Sequence, residues 1–100
     1  MKITAIVLAA SIMATQASAY TAEQIETCTA LGNLAQEIML GRQSGLQLSQ
    51  MLTISDVPLI QELVVAAFKQ PFMTYPDNKN EQIRSFRDIA ETACFGSVSK

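Results

Sequence analysis

The spacing of apolar residues divides the chain into two parts. After Lys2, residues 3–13 form a nearly unbroken apolar run, and Ala17, Ser18 and Ala19 supply small residues behind it. This order is typical of an export signal that a signal peptidase removes before residue 20. A retained membrane anchor is the alternative, but the run is well short of the roughly 20 residues that a spanning helix needs. We therefore predict a signal peptide at residues 1–19 and a single helical domain at residues 20–100.

From residue 20 onward, apolar residues recur every three or four positions, as in amphipathic helices. Thr21 and Gln24 form a predicted capping box at the start of the first helix. We expect this helix to end near Arg42 or Gln43, with Gly45 adopting the left-handed conformation that closes it. The residues of its apolar stripe are Ile25, Cys28, Leu31, Leu34, Ala35, Ile38 and Met39.

Two helices follow in the middle of the chain. The pattern predicts a short second helix at residues 49–54, with Ser49 as its cap. Either Ser55 or Asp56 caps the third helix, which we expect to end near Lys69. Residues 63–68 of this helix are apolar on nearly every side, which is typical of an element enclosed by others. Two adjacent valines also allow a strand here, but the length and the cap favour a helix.

A loop at residues 71–77 separates the third helix from the fourth. Asn78, with Glu81 three positions later, is the predicted cap of the fourth helix, and Gly96 is its predicted end. The inward stripe of this helix consists of Ile83, Phe86, Ile89, Ala90, Ala93 and Cys94. The whole domain is therefore predicted to be all-α, a small bundle of three longer helices and one short helix.

Two cysteines, Cys28 and Cys94, lie on the inward stripes of the first and fourth helices. They face the same core if these terminal helices pack side by side. An even number of cysteines in an exported chain indicates a disulfide, and the wide spacing differs from the Cys-x-x-Cys arrangement of a redox-active pair. We predict a structural Cys28–Cys94 disulfide that ties the bundle together.

Charge and residue types exclude several classes of function. The full chain has 7 basic and 9 acidic residues, and loss of Lys2 with the leader leaves a net charge of −3. Nucleic-acid binding is disfavoured because it requires clustered basic residues. The chain contains no histidine, which removes imidazole bases, histidine-activated nucleophiles and histidine-containing zinc sites.

The remaining candidates for catalysis or metal binding have simpler structural explanations. Four carboxylates that come nearest to a catalytic cluster suit helix starts, where they complement the helix dipole; these are Glu23, Glu26, Asp77 and Glu81. Residues 77–81 lack the spacing and the glycine of a calcium loop. Met39, Met51 and Met73 could serve as soft copper ligands, but packing is the favoured interpretation. We predict no enzyme activity, no cofactor, no metal and no small-molecule ligand.

Two features are candidates for a partner-binding surface. The first is the Arg42 corner, residues 42–45, where the Arg42 guanidinium and Gln43 could recognise a carboxylate or carbonyl-rich partner. Its alternative is a helix end in which Arg42 only complements the dipole. The second is the aromatic loop, residues 72–75, whose Phe72, Met73 and Tyr75 could contact a partner. Its alternative is that these residues fold back over the open end of the bundle.

Residues 38–52 read Ile-Met-Leu-Gly-Arg-Gln-Ser-Gly-Leu-Gln-Leu-Ser-Gln-Met-Leu. This segment resembles small exported proteins of proteobacteria and their prophages, which have a leader, an Arg-Gln-x-Gly helix corner, a serine-capped short helix and a late cysteine. The resemblance covers most of the mature chain loosely and the corner more closely. It implies a periplasmic setting and a phage-related origin, and it implies no activity or functional residue.

The sequence thus predicts a non-catalytic periplasmic protein-binding module, such as an inhibitor, immunity or exclusion factor that acts on another envelope protein. The alternative is a periplasmic chaperone for unfolded proteins under acid stress, in which protonation of the carboxylates loosens the bundle. Neither function involves nucleic acid, and neither requires membrane insertion after the signal is cleaved.

Overall fold

The structure is a computed structural model, and it describes residues 19–98. This part of the chain is all-α and contains four helices, α1 (Ala22–Gln43), α2 (Leu48–Leu52), α3 (Pro58–Phe68) and α4 (Pro76–Val98). The predicted bundle of three longer helices and one short helix is confirmed. No helix among the described residues is long and apolar enough to cross a membrane. The predicted leader, apart from Ala19, lies outside the described residues.

Helix α1 begins and ends as its sequence predicts. The backbone N–H of Gln24 donates to Thr21 Oγ1 at 3.0 Å, and the N–H of Thr21 donates to Gln24 Oε1 at 2.9 Å, which completes the capping box. At the other end, Gly45 has a φ of 97°. The N–H of Leu46 reaches back to the carbonyl of Gly41 at 3.1 Å, the hydrogen bond that defines a Schellman ending.

Helices α1 and α4 pack antiparallel along most of their length, and α3 covers the C-terminal half of α1. The buried core contains residues from all four helices, with Ala35, Ile38 and Met39 from α1, Met51 from α2, Val64 and Ala67 from α3, and Phe86 and Ala90 from α4. The apolar stretch at residues 63–68 is helical, so the strand alternative is wrong. Because α2 and α3 lie at one end, α1 and α4 alone form the other end.

The boundaries of α2 and α3 differ from the prediction. Helix α2 begins at Leu48, and Gln50 Oε1 accepts the backbone N–H of Gln47 at 2.9 Å, so Ser49 lies inside the helix rather than at its cap. Helix α3 is capped by neither Ser55 nor Asp56, because Val57 holds the cap position and Pro58 begins the helix. Proline suits that position since the first helical N–H has no partner within the helix.

Helix α4 is longer at both ends than its sequence predicts. It begins at Pro76, and the carbonyl of Tyr75 accepts the N–H of Lys79 at 3.0 Å, so Asn78 is not the cap. It continues past Gly96, which lacks the positive φ of a helix end, to Val98. The last turn is stabilised by α1.

The side chains that stabilise this last turn come from the start of the domain. The Gln24 amide donates to the carbonyl of Val98 at 2.9 Å, and the Tyr20 hydroxyl donates to the carbonyl of Phe95 at 3.2 Å. The rings of Tyr20 and Phe95 also pack edge to face, with centroids 4.9 Å apart. Carbonyl groups that a helix end leaves unpaired are thus satisfied by Tyr20 and Gln24, and the helix does not need a glycine stop.

Candidate functional site

The Cys28–Cys94 disulfide joins α1 to α4 near the start of α1 and the end of α4. Its Cα atoms are 5.5 Å apart, an ordinary separation for a disulfide, and Cys28 is fully buried. The predicted pairing is confirmed. A disulfide of this kind is typical of an oxidising compartment outside the cytoplasm.

The Arg42 corner and the aromatic loop, which the sequence presents as separate features, lie against each other. Arg42 is at the last turn of α1, and its Nη2 donates to the carbonyl of Gln70 at 3.2 Å. Its guanidinium carbon is 4.9 Å from the centroid of the Phe68 ring and 5.6 Å from that of Phe72. Arg42 therefore lies in the last turn of α1 and also contacts the end of α3 and the segment that follows it.

Gln43 is the residue that fixes the aromatic loop to α1. Its side-chain Nε2 donates to the carbonyl of Pro71 at 2.9 Å, and its Oε1 accepts the backbone N–H of Met73 at 2.8 Å. Only 2% of Gln43 is exposed. The prediction that Gln43 lines a partner surface is therefore corrected. The side chain is buried, and both its amide nitrogen and its amide oxygen are hydrogen-bonded to the backbone of residues 71–73.

Two cations, Arg42 and Lys79, contact the ring of Phe72 at this junction. The ammonium nitrogen of Lys79 is 4.7 Å from the ring centroid, and the same nitrogen donates to the backbone carbonyl of Gln43 at 2.8 Å. Phe72 nonetheless remains 49% exposed. The ring therefore presents a free part to solvent while two positive charges hold its position.

The other two residues of the predicted surface differ in exposure. Tyr75 is 69% exposed, the most exposed large apolar residue in the described part of the chain, and it directly precedes α4. Met73 is half-buried, and its backbone is bonded to Gln43. The aromatic loop thus covers the end of the bundle with part of its side chains and displays Phe72 and Tyr75 outward.

Two residues of this junction were not expected from the sequence, Phe68 and Lys79. In the sequence, Phe68 is one of several apolar residues of the third helix, and Lys79 follows the predicted cap Asn78. A signal for Lys79 exists in the sequence, since Pro76 is a favoured first residue of a helix and sets Lys79 one turn inside it. For Phe68 we find no local signal, because its contact with Arg42 depends on how α3 crosses α1.

The junction combines charged hydrogen-bond donors with aromatic surface. Arg42 and Lys79 supply the donors, and the loop supplies the aromatic rings. The ion pair of the described residues, Arg87 with Glu91, lies elsewhere on α4. No group of three or more cysteine, aspartate or glutamate residues in the described part of the chain is arranged to hold a metal ion. Met39 and Met51 are buried in the core, in agreement with a packing role.

Comparisons with known proteins add no functional information. No protein-family model, curated protein or solved structure matches the chain. The resemblance of residues 38–52 to small exported proteobacterial and prophage proteins stays a prediction, and the function has to be argued from the junction itself.

Proposed function

We propose that the chain is a non-catalytic periplasmic protein-binding module that acts on another envelope protein, as an inhibitor, immunity or exclusion factor. Its contact surface is the exposed face of the aromatic loop together with Arg42. The observation that carries this proposal is that Phe72 and Tyr75 are exposed on a loop whose backbone is fixed by a buried side chain, Gln43.

Fixing the loop matters because binding usually costs free energy to order loops and side chains. A loop already held in one conformation avoids part of that cost. Aromatic residues and arginine are also the types most enriched among the residues that dominate binding energy at protein interfaces. An ordered loop with an exposed phenylalanine and tyrosine beside an arginine therefore has the composition of a binding surface.

The periplasmic setting is supported by two independent features. The first is the leader-like sequence of residues 1–19, with its apolar run and small residues. The second is the disulfide, which forms and persists in oxidising compartments such as the periplasm. Expression in a Gram-negative host followed by mass measurement tests this setting. We expect the exported protein to begin at Tyr20 and to contain no free thiol.

A crosslinking experiment on the mature protein tests the proposed binding surface. The tagged protein is crosslinked in the periplasm, captured partners are identified, and the strongest candidate is purified for a direct binding measurement. We expect Tyr75→Ala to weaken that binding about tenfold or more, as for a central interface residue. The matched control is Ile89→Ala. The prediction that Ile89 lies on the inward stripe of α4 is wrong, since Ile89 is 53% exposed on the outer face of α4, away from the loop.

Equal effects of Tyr75→Ala and Ile89→Ala would show that the loop is not the contact surface. Binding that is unchanged in Tyr75→Ala and in Phe72→Ala would exclude the aromatic loop altogether. Both variants alter exposed side chains, so the circular dichroism spectrum of each serves to confirm that the helices are intact.

A second candidate function, a chaperone for unfolded periplasmic proteins, is favoured by a different observation. Large apolar side chains are exposed around α2 and the start of α3, among them Ile54, Val57 and Leu59. Eight of the nine acidic residues are exposed, with Glu91 half-buried, so acid would act mainly through overall charge repulsion. Aggregation of a model client across about pH 2 to 7 tests this function. Absence of suppression at every pH would exclude it.

A further inference from the structure

We propose that the junction of the Arg42 corner and the aromatic loop recognises an acidic segment of a partner polypeptide. A carboxylate of the segment lies between Arg42 and Lys79, and a neighbouring apolar side chain packs on Phe72. This inference rests on the proposed function and specifies the chemistry of the partner.

The first argument is the arrangement of positive charge around one exposed ring. The Arg42 guanidinium carbon lies 5.6 Å and the Lys79 ammonium nitrogen 4.7 Å from the centroid of Phe72. Both cations are half-buried, which reduces screening by solvent. The mature chain has a net charge of −3, so this is a local positive site on a protein that is negative as a whole.

The second argument comes from counting hydrogen-bond donors. Arginine carries five N–H donors and lysine three. One donor of Arg42 is bonded to the carbonyl of Gln70, its Nε–H is buried without a partner, and one donor of Lys79 is bonded to the carbonyl of Gln43. Besides the buried Nε–H, three donors on Arg42 and two on Lys79 are left without a protein acceptor within residues 19–98. A carboxylate supplies two oxygens that accept such charged donors.

No carboxylate of residues 19–98 occupies this position. Within residues 19–98, neither Arg42 nor Lys79 forms an ion pair with an acidic side chain, whereas Arg87 does. The C-terminal end of α1 compensates the two cations in part, because a helix C-terminus carries about half a negative charge. That leaves most of the positive charge available to a ligand.

The exposed rings favour a polypeptide over a simple anion. Phe72 contacts both cations, and Phe72 and Tyr75 of the same loop expose aromatic surface that a free phosphate or acetate would leave uncovered. A peptide with a carboxylate beside an apolar residue uses both parts of the site. Charge complementarity of this kind sets specificity and the rate of association.

The test is a titration of the mature protein, labelled with ¹⁵N and followed by NMR, with two synthetic peptides. The probe is a blocked pentapeptide of sequence glycine-glutamate-phenylalanine-aspartate-glycine. The control peptide has glutamine and asparagine in place of the glutamate and aspartate. We expect saturable chemical-shift changes confined to residues 42 and 70–79. The affinity for the acidic peptide should be at least about tenfold higher than for the control peptide. Raising the salt from about 0.05 M to 0.5 M should weaken binding severalfold.

Two variants and a control separate the site from general charge effects. Lys79→Gln should weaken binding of the acidic peptide about fivefold or more, because it removes one of two charges at the carboxylate. Phe72→Ala should weaken both peptides to a similar degree. Arg84→Gln makes the same change in net charge at an exposed position on α4, and we expect it to leave the affinity within about twofold.

Several results would overturn the inference. These are equal affinities for the two peptides, shifts centred elsewhere, no saturable shift at millimolar peptide, or an equal loss in Arg84→Gln and Lys79→Gln. Stronger binding of inorganic phosphate or of anionic lipid vesicles at the same residues would also contradict it, since the ligand would then be an anion or a membrane surface. If the peptide test fails while Tyr75→Ala still weakens binding to a captured envelope partner, the proposed function stands and only the acidic chemistry is wrong.

Discussion

Gln43 is a polar side chain in the buried part of the bundle, and its amide connects α1 to the loop at residues 71–73. Besides the bonds to Pro71 and Met73, its Nε2 lies 3.5 Å from Met39 Sδ. Buried polar groups are tolerated when their hydrogen bonds are made. Here the amide also satisfies two backbone groups of a loop that has no secondary structure of its own.

Gln43→Met tests this role because methionine has a similar length and no hydrogen-bonding amide. The carbonyl of Pro71 and the N–H of Met73 would lose their partner, and we expect the free energy of unfolding to fall by about 1–3 kcal/mol. Urea denaturation followed by circular dichroism measures the change. In the same experiment, Asn33→Met at an exposed position of α1 should stay within about 0.5 kcal/mol of the wild type. A loss below that limit for Gln43→Met would show that the loop does not depend on the amide.

Arg42, the neighbour of Gln43, has one unfavourable feature and two favourable contacts. Its Nε–H is the one buried side-chain nitrogen or oxygen without a partner in the described part of the chain, and such a group costs about 1–3 kcal/mol. Contacts with Phe68 and Phe72 offset that cost, at about 0.5–1 kcal/mol or more for each ring. The guanidinium is thus held in place by aromatic faces.

At the scale of helices, Gly32 of α1 leaves room for the Glu91 side chain of α4. This glycine is buried, and the Glu91 side chain lies directly against it. Arg87 holds that carboxylate through a 3.1 Å contact and also donates to Gln36 of α1 at 2.7 Å. A polar seam therefore runs beside the apolar core, and it requires a position on α1 without a side chain.

A pair of glycine substitutions separates close packing from helix propensity. A Cβ at Gly32 would lie 2.5 Å from Glu91 Cγ and 2.8 Å from its Cδ, whereas a Cβ at Gly96 has open space around it. Alanine favours a helix over glycine by about 1 kcal/mol. We therefore expect Gly96→Ala to raise the free energy of unfolding by a few tenths to about 1 kcal/mol, and Gly32→Ala to lower it by about 1 kcal/mol. Thermal denaturation of both variants measures the difference, and equal stabilisation would mean that Glu91 moves aside without cost.

The elements themselves were predictable because their signals are local. The apolar stripe of α1 was predicted in its middle and end, but its first residue, Ile25, is 48% exposed. The capping box at Thr21 and the turn at Gly45 involve residues a few positions apart, so the sequence alone places them. The C-terminal end of α4 was missed for the opposite reason. Its last turn is stabilised by Gln24 and Tyr20, which are more than 70 positions away in the chain, and no local pattern contains that contact.

The candidate site shows the same division. Arg42 and the aromatic residues of the loop were recognisable as residue types suited to binding. That they belong to one site depends on Gln43, whose hydrogen bonds span 28 and 30 positions. A glutamine at a helix end is predicted to lie on the surface, since this residue type is mostly exposed. Its burial follows from where the chain returns after α3, and single-sequence patterns do not carry that information.

The whole molecule is tied at both ends of the α1–α4 pair. The disulfide, Tyr20 and Gln24 hold one end, while Gln43, Lys79 and the aromatic loop hold the other. Between them lies a small core, and a domain of this size buries too little apolar surface to be very stable without crosslinks. The two ends differ in kind, since the loop end is held by noncovalent contacts alone and the opposite end also by a covalent bond.

Removal of the disulfide is therefore expected to affect the entire fold. The bond closes a loop of 66 positions, and the chain-entropy model assigns about 4 kcal/mol to such a crosslink, against the roughly 5–15 kcal/mol that stabilises a typical domain. We expect Cys28→Ala with Cys94→Ala to lower the free energy of unfolding by about 2–4 kcal/mol. Urea denaturation of the mature protein measures this, and reduction of the wild type should reproduce it while leaving the double variant unchanged. A double variant as stable as the oxidised wild type would show that packing of α1 on α4 is sufficient, and the disulfide would then be dispensable for the fold.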